Sequence, residues 1–322
     1  MINTAIIKNS NAFKNFERNV KNGAINHAYL LISPDKECRE VFFKLASLSI
    51  MCSKFGCGVC KTCRMIEDNI HPEIIFADGN NLKVEGIDRL QNDIEMMPIE
   101  NTKKLVYLEN GELISDRSQN KLLKVYEEPP DYLVFFIGAS KEHGLIPTMQ
   151  SRAQKIYLDL LTSEQITKEL IEEGIERNEA VSAAAVSSGS LEKARKLCTD
   201  EKYKSIFNDT FNMCLNLKKS FDVPEFVYSD LFTQENIGIT LDFLEVILGD
   251  VLKIINNQEQ KFSIIGRDFD LHEIAKTFSN TSLVVTFDLI EKARKDLIVN
   301  VSSTSLAETI LLGMLEAKYK WK

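Results

Sequence analysis

The stretch from Ala28 to Glu40 constrains this chain more than any other. The apolar run Ala28-Tyr29-Leu30-Leu31-Ile32 reads as a buried strand, and after a short loop a helical pattern begins at once. A phosphate-binding loop at such a strand-to-helix junction would read G-x-x-x-x-G-K-[ST]. Here the eight residues are Ser33-Pro34-Asp35-Lys36-Glu37-Cys38-Arg39-Glu40. Ser33 and Cys38 stand in the glycine places, Arg39 in the lysine place and Glu40 in the Ser/Thr place. Glycines are needed there because backbone N–H groups must close on phosphate in conformations that side chains forbid. The hydroxyl holds Mg²⁺, and Glu40 would set a negative charge against phosphate instead. The junction predicts the scaffold of a phosphate loop without its chemistry, and so no bound ATP.

The first half of the chain goes on alternating strand and helix. Short buried strands are expected at 28–33, 73–77, 104–108 and 133–139, with helical patterns at about 36–51, 61–69, 86–97 and 115–128. Ser115 or Asp116 can cap the last of these helices, and Pro129-Pro130 stops it. Such alternation implies a parallel sheet covered on both faces. From Leu160 onward the pattern is helical throughout. The expected division is an α/β domain over 1–160, a small helical domain over 161–205 and a longer one over 206–322. Leu241, Leu244, Ile247, Leu248 and Val251, and then Leu306, Ile310, Leu311, Met314 and Leu315, form stripes wide enough for an internal core and for a neighbour's helix. Leu122, Leu123 and Tyr126 have core spacing, and His27 and His71, beside apolar strands, are expected to be satisfied core histidines.

At 322 residues, with 44% apolar and 27% charged residues, the composition is that of a globular protein. A net charge of −8 opposes wrapping of nucleic acid, so contact with DNA is expected to be local or through partners. No run of about 18 apolar residues is present and the first residues lack a signal-peptide layout, so no membrane role is expected.

Of the seven cysteines, four form Cys52-x4-Cys57-x2-Cys60-x2-Cys63. Without an export signal, that clustering points to a reducing cytoplasm and a metal rather than disulfides. Two C-x-x-C steps place three thiolates in one knuckle, Cys52 supplies a fourth, and Gly56 and Gly58 allow the sharp turns. Zn²⁺ is the expected ion; an iron–sulfur cluster is the main rival, with a redox pair or free thiols behind it. Four thiolates leave no open position, so the expected role is structural. Cys38, Cys198 and Cys214 are isolated and read as core residues.

Further motifs carry a resemblance. His27-Ala28-Tyr29-Leu30 is followed by the knuckle ending Cys60-Lys61-Thr62-Cys63-Arg64 and then by His71-Pro72-Glu73. Asn120-Lys121-Leu122-Leu123-Lys124-Val125-Tyr126-Glu127-Glu128-Pro129-Pro130 comes next, and Leu145-Ile146-Pro147-Thr148-Met149-Gln150-Ser151-Arg152-Ala153 after it. In order and spacing these segments resemble the delta-prime family of bacterial DNA polymerase III clamp-loader subunits, within the AAA+ superfamily, over nearly the full length. Ala153 departs from the cysteine usual there.

The resemblance implies a RecA-like P-loop fold with an inserted zinc knuckle (52–63), a helical lid and an all-α collar. It implies a subunit without turnover of its own, a stator in loading the sliding clamp onto primed DNA. The implied partners are gamma/tau and delta subunits in a hetero-pentameric ring in a bacterial cytoplasm, near the nucleoid, with clamp and primer-template DNA reached through the complex. In the family the arginine matching Arg152, after Ser151, enters the neighbour's ATP site, a task its planar fork suits. Two more losses agree with an idle site. Tyr107-Leu108-Glu109-Asn110 offers one acid where an acidic pair should handle Mg²⁺ and water, and Glu192 stands where active relatives carry a sensor arginine. Two alternatives remain: an active gamma/tau-type ATPase, which the degraded loop opposes, and a zinc-knuckle regulator binding DNA alone. Lys54, Lys61 and Arg64 favour the regulator, and the net charge opposes it.

Overall fold

Parallel strands need long crossovers, and here helices supply them. The computed structural model describes residues 2–82, 84–99, 101–142, 144–258, 264–298 and 301–321. The chain divides into two compact units, Met1–Leu160 and Leu161–Lys322.

Unit 1 runs α1 (Thr4–Asn9), α2 (Asn11–Lys21), β1 (Ala28–Ile32), α3 (Lys36–Met51), α4 (Lys61–Glu67), β2 (Ile74–Asp78) and α5 (Val84–Glu95). It continues through β3 (Lys104–Glu109), α6 (Asp116–Glu127), β4 (Leu133–Ala139), α7 (Pro147–Arg152) and β5 (Gln154–Tyr157). The strands form one sheet in the order β2-β3-β4-β1-β5, with every pairing parallel. Aliphatic side chains of β1, β3 and β4 pack on one face against Ile87, Leu90 and Ile94 of α5, Leu122 and Tyr126 of α6, and Met149 of α7. Rings fill the other face. Phe16 meets Tyr29 and Phe42 edge-on, Tyr29 stacks on Phe136 at 4.9 Å, and Phe43 stacks on Tyr107 at 4.6 Å. This is the expected AAA+ α/β architecture.

The sequence placed most elements within a few residues, and Ser115 caps α6 by accepting from the Ser118 amide. β2 differs from expectation. It is only half-buried, and Phe76 is 56% exposed, because β2 is the outer strand of the sheet. His27 differs too: its Nε2 is buried without a hydrogen-bond partner among the described residues, as is the Tyr126 hydroxyl, and the two rings meet edge-on 6.5 Å apart. His71 is buried and its Nδ1 accepts from the Glu73 amide at 3.2 Å.

Unit 2 is helical: α8 (Ser163–Glu172), α9 (Arg177–Val186), α10 (Leu191–Thr199), α11 (Glu201–Asn216), α12 (Val223–Val227), α13 (Ile237–Ile255), α14 (Asp268–Ala275), α15 (Asn280–Ile298) and α16 (Ser303–Lys320). Leu241, Leu244, Ile247, Leu248 and Val251 of α13 and Leu306, Ile310, Leu311, Met314 and Leu315 of α16 are all buried in its own core. Those stripes are consumed internally. The apolar residues that α16 leaves exposed are others, such as Leu312 and Tyr319. Lys318 is buried as well; its Nζ donates to the Leu217 carbonyl at 3.3 Å and lies 4.5 Å from the centre of the Phe278 ring. Burial holds its ammonium below the usual lysine range, against an opposing pull from Cys214. No helix among the described residues is long and apolar enough to cross a membrane.

Candidate functional site

In open parallel sheets, ligands bind beyond the carboxyl ends of the strands, where the strand order reverses. β1 lies between β4 and β5, and its crossover leads away to β2 at the far edge, so the Ser33–Glu40 loop opens at such a point. The groups gathered there are satisfied from within the chain. Asp35 is buried and caps α3, its carboxylate accepting from the Cys38 amide at 3.2 Å, while the Ser33 hydroxyl accepts from the Asp35 amide. A carboxylate at a helix N-terminus takes the place an anionic ligand would occupy.

Arg39 turns inward and is 2% exposed. Its Nε donates to Glu109 Oε1 at 3.0 Å, Nη2 donates to the same carboxylate, and Nη1 donates to the Ser33 carbonyl. Tyr107 Oη donates to the other Glu109 oxygen. Burial pushes the Tyr107 phenol well above its ordinary value, and the adjacent Glu109 carboxylate pushes the same way. The residue in the lysine place is thus bound to the lone acid of the magnesium strand. Gly138 of β4 makes room for the pair: a Cβ there would run into Glu109 Oε2 and stand 2.7 Å from the Tyr107 hydroxyl.

The neighbouring positions are tied in the same way. Asn110, with φ of 54°, donates from Nδ2 to Asp78 at 2.9 Å. At the end of β4, the Ser140 amide donates to Glu112 Oε1 at 2.8 Å, and the Ser140 hydroxyl donates there as well. Glu40 lies outside this group on the exposed face of α3, 3.6 Å from Lys36. Cys38 is buried, and burial raises its thiol. Sequence patterns located Ser33, Cys38, Arg39 and Glu109, but missed Asp35, Tyr107 and Glu112. Only the capping pattern of Asp35, two residues ahead of the helical run, was open to be read.

Ser151 and Arg152 end the short helix α7 rather than lying on a loop. Ser151 Oγ donates to the Thr148 carbonyl at 3.1 Å; the exposed Arg152 donates to the same carbonyl at 3.2 Å and pairs with Glu127 at 2.9 Å. Ser190 caps α10, and Glu192 pairs with Lys196 at 2.8 Å.

The four clustered cysteines converge. Cys52 follows α3 and Cys60 caps α4, with Cys57 on the loop between and Cys63 in the first turn of α4. The Sγ atoms are 3.8 Å apart for Cys52–Cys57 and for Cys52–Cys60, and 4.0 Å for Cys57–Cys63. All four lie within 4.8 Å of one another. Thiolates at about 2.3 Å around a tetrahedral ion would be about 3.8 Å apart, so the donor set fits a tetrahedral metal. Gly56 and Gly58 have φ of 94° and 74°, as the tight turns require. Burial raises the Cys52 thiol, but the amides of Cys57, Lys54 and Gly56 outweigh it and bring it to about 6. Burial pushes Cys63 up to about 12.

Residues 8–162 match the family model described as DNA polymerase III, delta subunit. The chain is similar to the DNA polymerase III subunit delta' of Haemophilus influenzae, 25% identical over 295 residues that cover 86% of each chain. It is similar to subunit delta' of Bacillus subtilis, 24% identical over 311 residues, covering 92% of this chain and 93% of the relative. It also resembles subunit tau of Escherichia coli, 29% identical over 153 residues, covering 46% of this chain but only 24% of tau.

Proposed function

The chain belongs to the delta-prime family of DNA polymerase III subunits, and on that premise we propose that it is a clamp-loader subunit kept for its shape rather than for turnover. The observation that carries this is the buried Arg39–Glu109 pair. In an active site the basic residue would grip phosphate and the acid would handle Mg²⁺; here each neutralises the other, and Asp35 caps the helix that would receive the anion.

Within the ring such subunits form, residues 161–205 would be a lid and 206–322 a collar. Arg152 would act in trans, leaving Glu127 for the γ-phosphate of a neighbour's ATP, where a planar bidentate cation stabilises the charge developing in phosphoryl transfer. Delta and gamma/tau subunits would be the direct partners, and the sliding clamp and primed DNA would be reached through the assembly. Cys52, Cys57, Cys60 and Cys63 would hold Zn²⁺, which fixes the knuckle and leaves no open position for chemistry.

The likeness to tau favours a motor ATPase instead; the Arg39–Glu109 pair weighs against it. Titration calorimetry of the full chain with millimolar Mg·ATP decides between them. No saturable heat is expected, and a micromolar dissociation constant would restore the motor assignment.

A further inference from the structure

The outer edge of β2 has no part in the phosphate crevice or in the Arg152 surface. Glu73 O accepts from the Leu105 amide at 2.9 Å, and the Gly79 amide donates to Glu109 O at 2.8 Å. The odd-numbered residues therefore turn their backbone groups toward β3, and Phe76 and Asp78 turn theirs away from the sheet. An edge of this kind is a template for another strand.

Beside it, in unit 1, lies a cavity of about 310 Å³, at the small end of the range for binding pockets. Phe43, Ile74, Phe76 and Tyr107 supply apolar lining, and α3 brings Glu37 and Glu40 to the same wall. Phe76 is the outermost ring of the aromatic layer. Its ring meets Phe43 and Tyr107 edge-on at 5.5 and 6.2 Å, yet more than half of the residue is in contact with solvent. Lys44, the ammonium in the lining, is directed to the Glu67 carbonyl at 3.0 Å, so the α3 end of the groove presents carboxylates.

We propose that this groove receives an extended peptide segment of a partner protein. The segment adds to β2 as a sixth strand, sets one aromatic or branched apolar side chain on Phe76 and Phe43, and places a Lys or Arg against Glu37 and Glu40. The open backbone edge selects a peptide over a small organic cation, because backbone pairing supplies affinity while alternate side chains supply specificity. The charge of the wall selects a basic segment over an acidic one. None of this depends on the clamp-loader assignment.

The test is selection of a phage-displayed random heptapeptide library on the immobilised full-length chain, followed by binding of the synthesised winners to wild type, Phe76→Asp and Glu40→Lys. The winners are expected to combine an apolar anchor with a basic residue. They should bind roughly tenfold more weakly to each variant, and slow hydrogen exchange at the Phe76 and Asp78 amides. Glu40→Lys changes an exposed side chain, so its effect stands even if Phe76→Asp disturbs the edge strand. Failure of any sequence to enrich, winners that lack basic residues, equal binding to both variants, or unchanged exchange at residues 76 and 78 would each overturn the proposal.

Discussion

Arg39 and Glu109, seventy residues apart in sequence, form an ion pair that is almost wholly removed from solvent at the carboxyl ends of β1 and β3. Side chains of this kind are rarely buried unless paired, and each holds the other there. Removing one partner leaves an uncompensated buried charge, whereas replacing both with apolar groups can be neutral. Arg39→Met should therefore cost about 3–5 kcal/mol, while Arg39→Met with Glu109→Leu should regain most of it. Denaturant dependence of hydrogen exchange at the β1 and β3 amides measures both. Equal losses in the single and double variants would show that the pairing is immaterial.

Metal content tests the knuckle. Protein purified without chelator should carry close to one zinc per chain, and Cys60→Ser should lose it while the sheet stays folded. Iron with visible absorbance, or a Cys57–Cys60 disulfide in the native chain, would exclude the assignment.

Arg152→Ala should leave folding and zinc content nearly unchanged, because an exposed pair with Glu127 contributes about 0–1 kcal/mol at most. In a reconstituted assembly, hydrolysis at a site that depends on this arginine should fall by on the order of 10³–10⁵. Total turnover should fall only in part, since the other sites remain intact. Arg152→Lys should rescue poorly, as an ammonium lacks the fork. Wild-type turnover in the alanine variant would reduce Arg152 to an ordinary surface residue.

Lys318 gives a pH signature. Its folded-state pKa is depressed by burial, so the charged form is penalised at neutral pH. That penalty is relieved as pH rises from the folded value toward the unfolded one, and unit 2 should become more stable over that window. Lys318→Met should be more stable at pH 7 and should lose this part of the rise. Fluorescence of Trp321, the only tryptophan, reports the denaturation midpoints. Parallel pH profiles for wild type and variant would contradict the assignment.

What the sequence revealed and what it hid follow from the range of the interactions. The knuckle was legible because its donors fall within twelve residues and ligand geometry dictates their spacing. Strand and helix positions were legible because periodicity is local. The contents of the crevice were not. Arg39 could be seen to replace a lysine, but its pairing with Glu109 depends on the order β3-β4-β1, and Gly138 matters only because β4 lies between them. The exposure of Phe76 was hidden for the same reason, since an apolar run does not announce whether its strand is central or at an edge.

The fit of Glu109 and Tyr107 over Gly138 also bears on descent. Any substitution that starts to rebuild a phosphate-gripping loop, such as lysine at 39 or a side chain at 138, meets the tightly packed pair before any gain can appear. The replacements would have to arrive together to be tolerated. Once assembled, this arrangement acts as a ratchet: lineages can elaborate the surface around it freely, while reversal demands several coordinated steps.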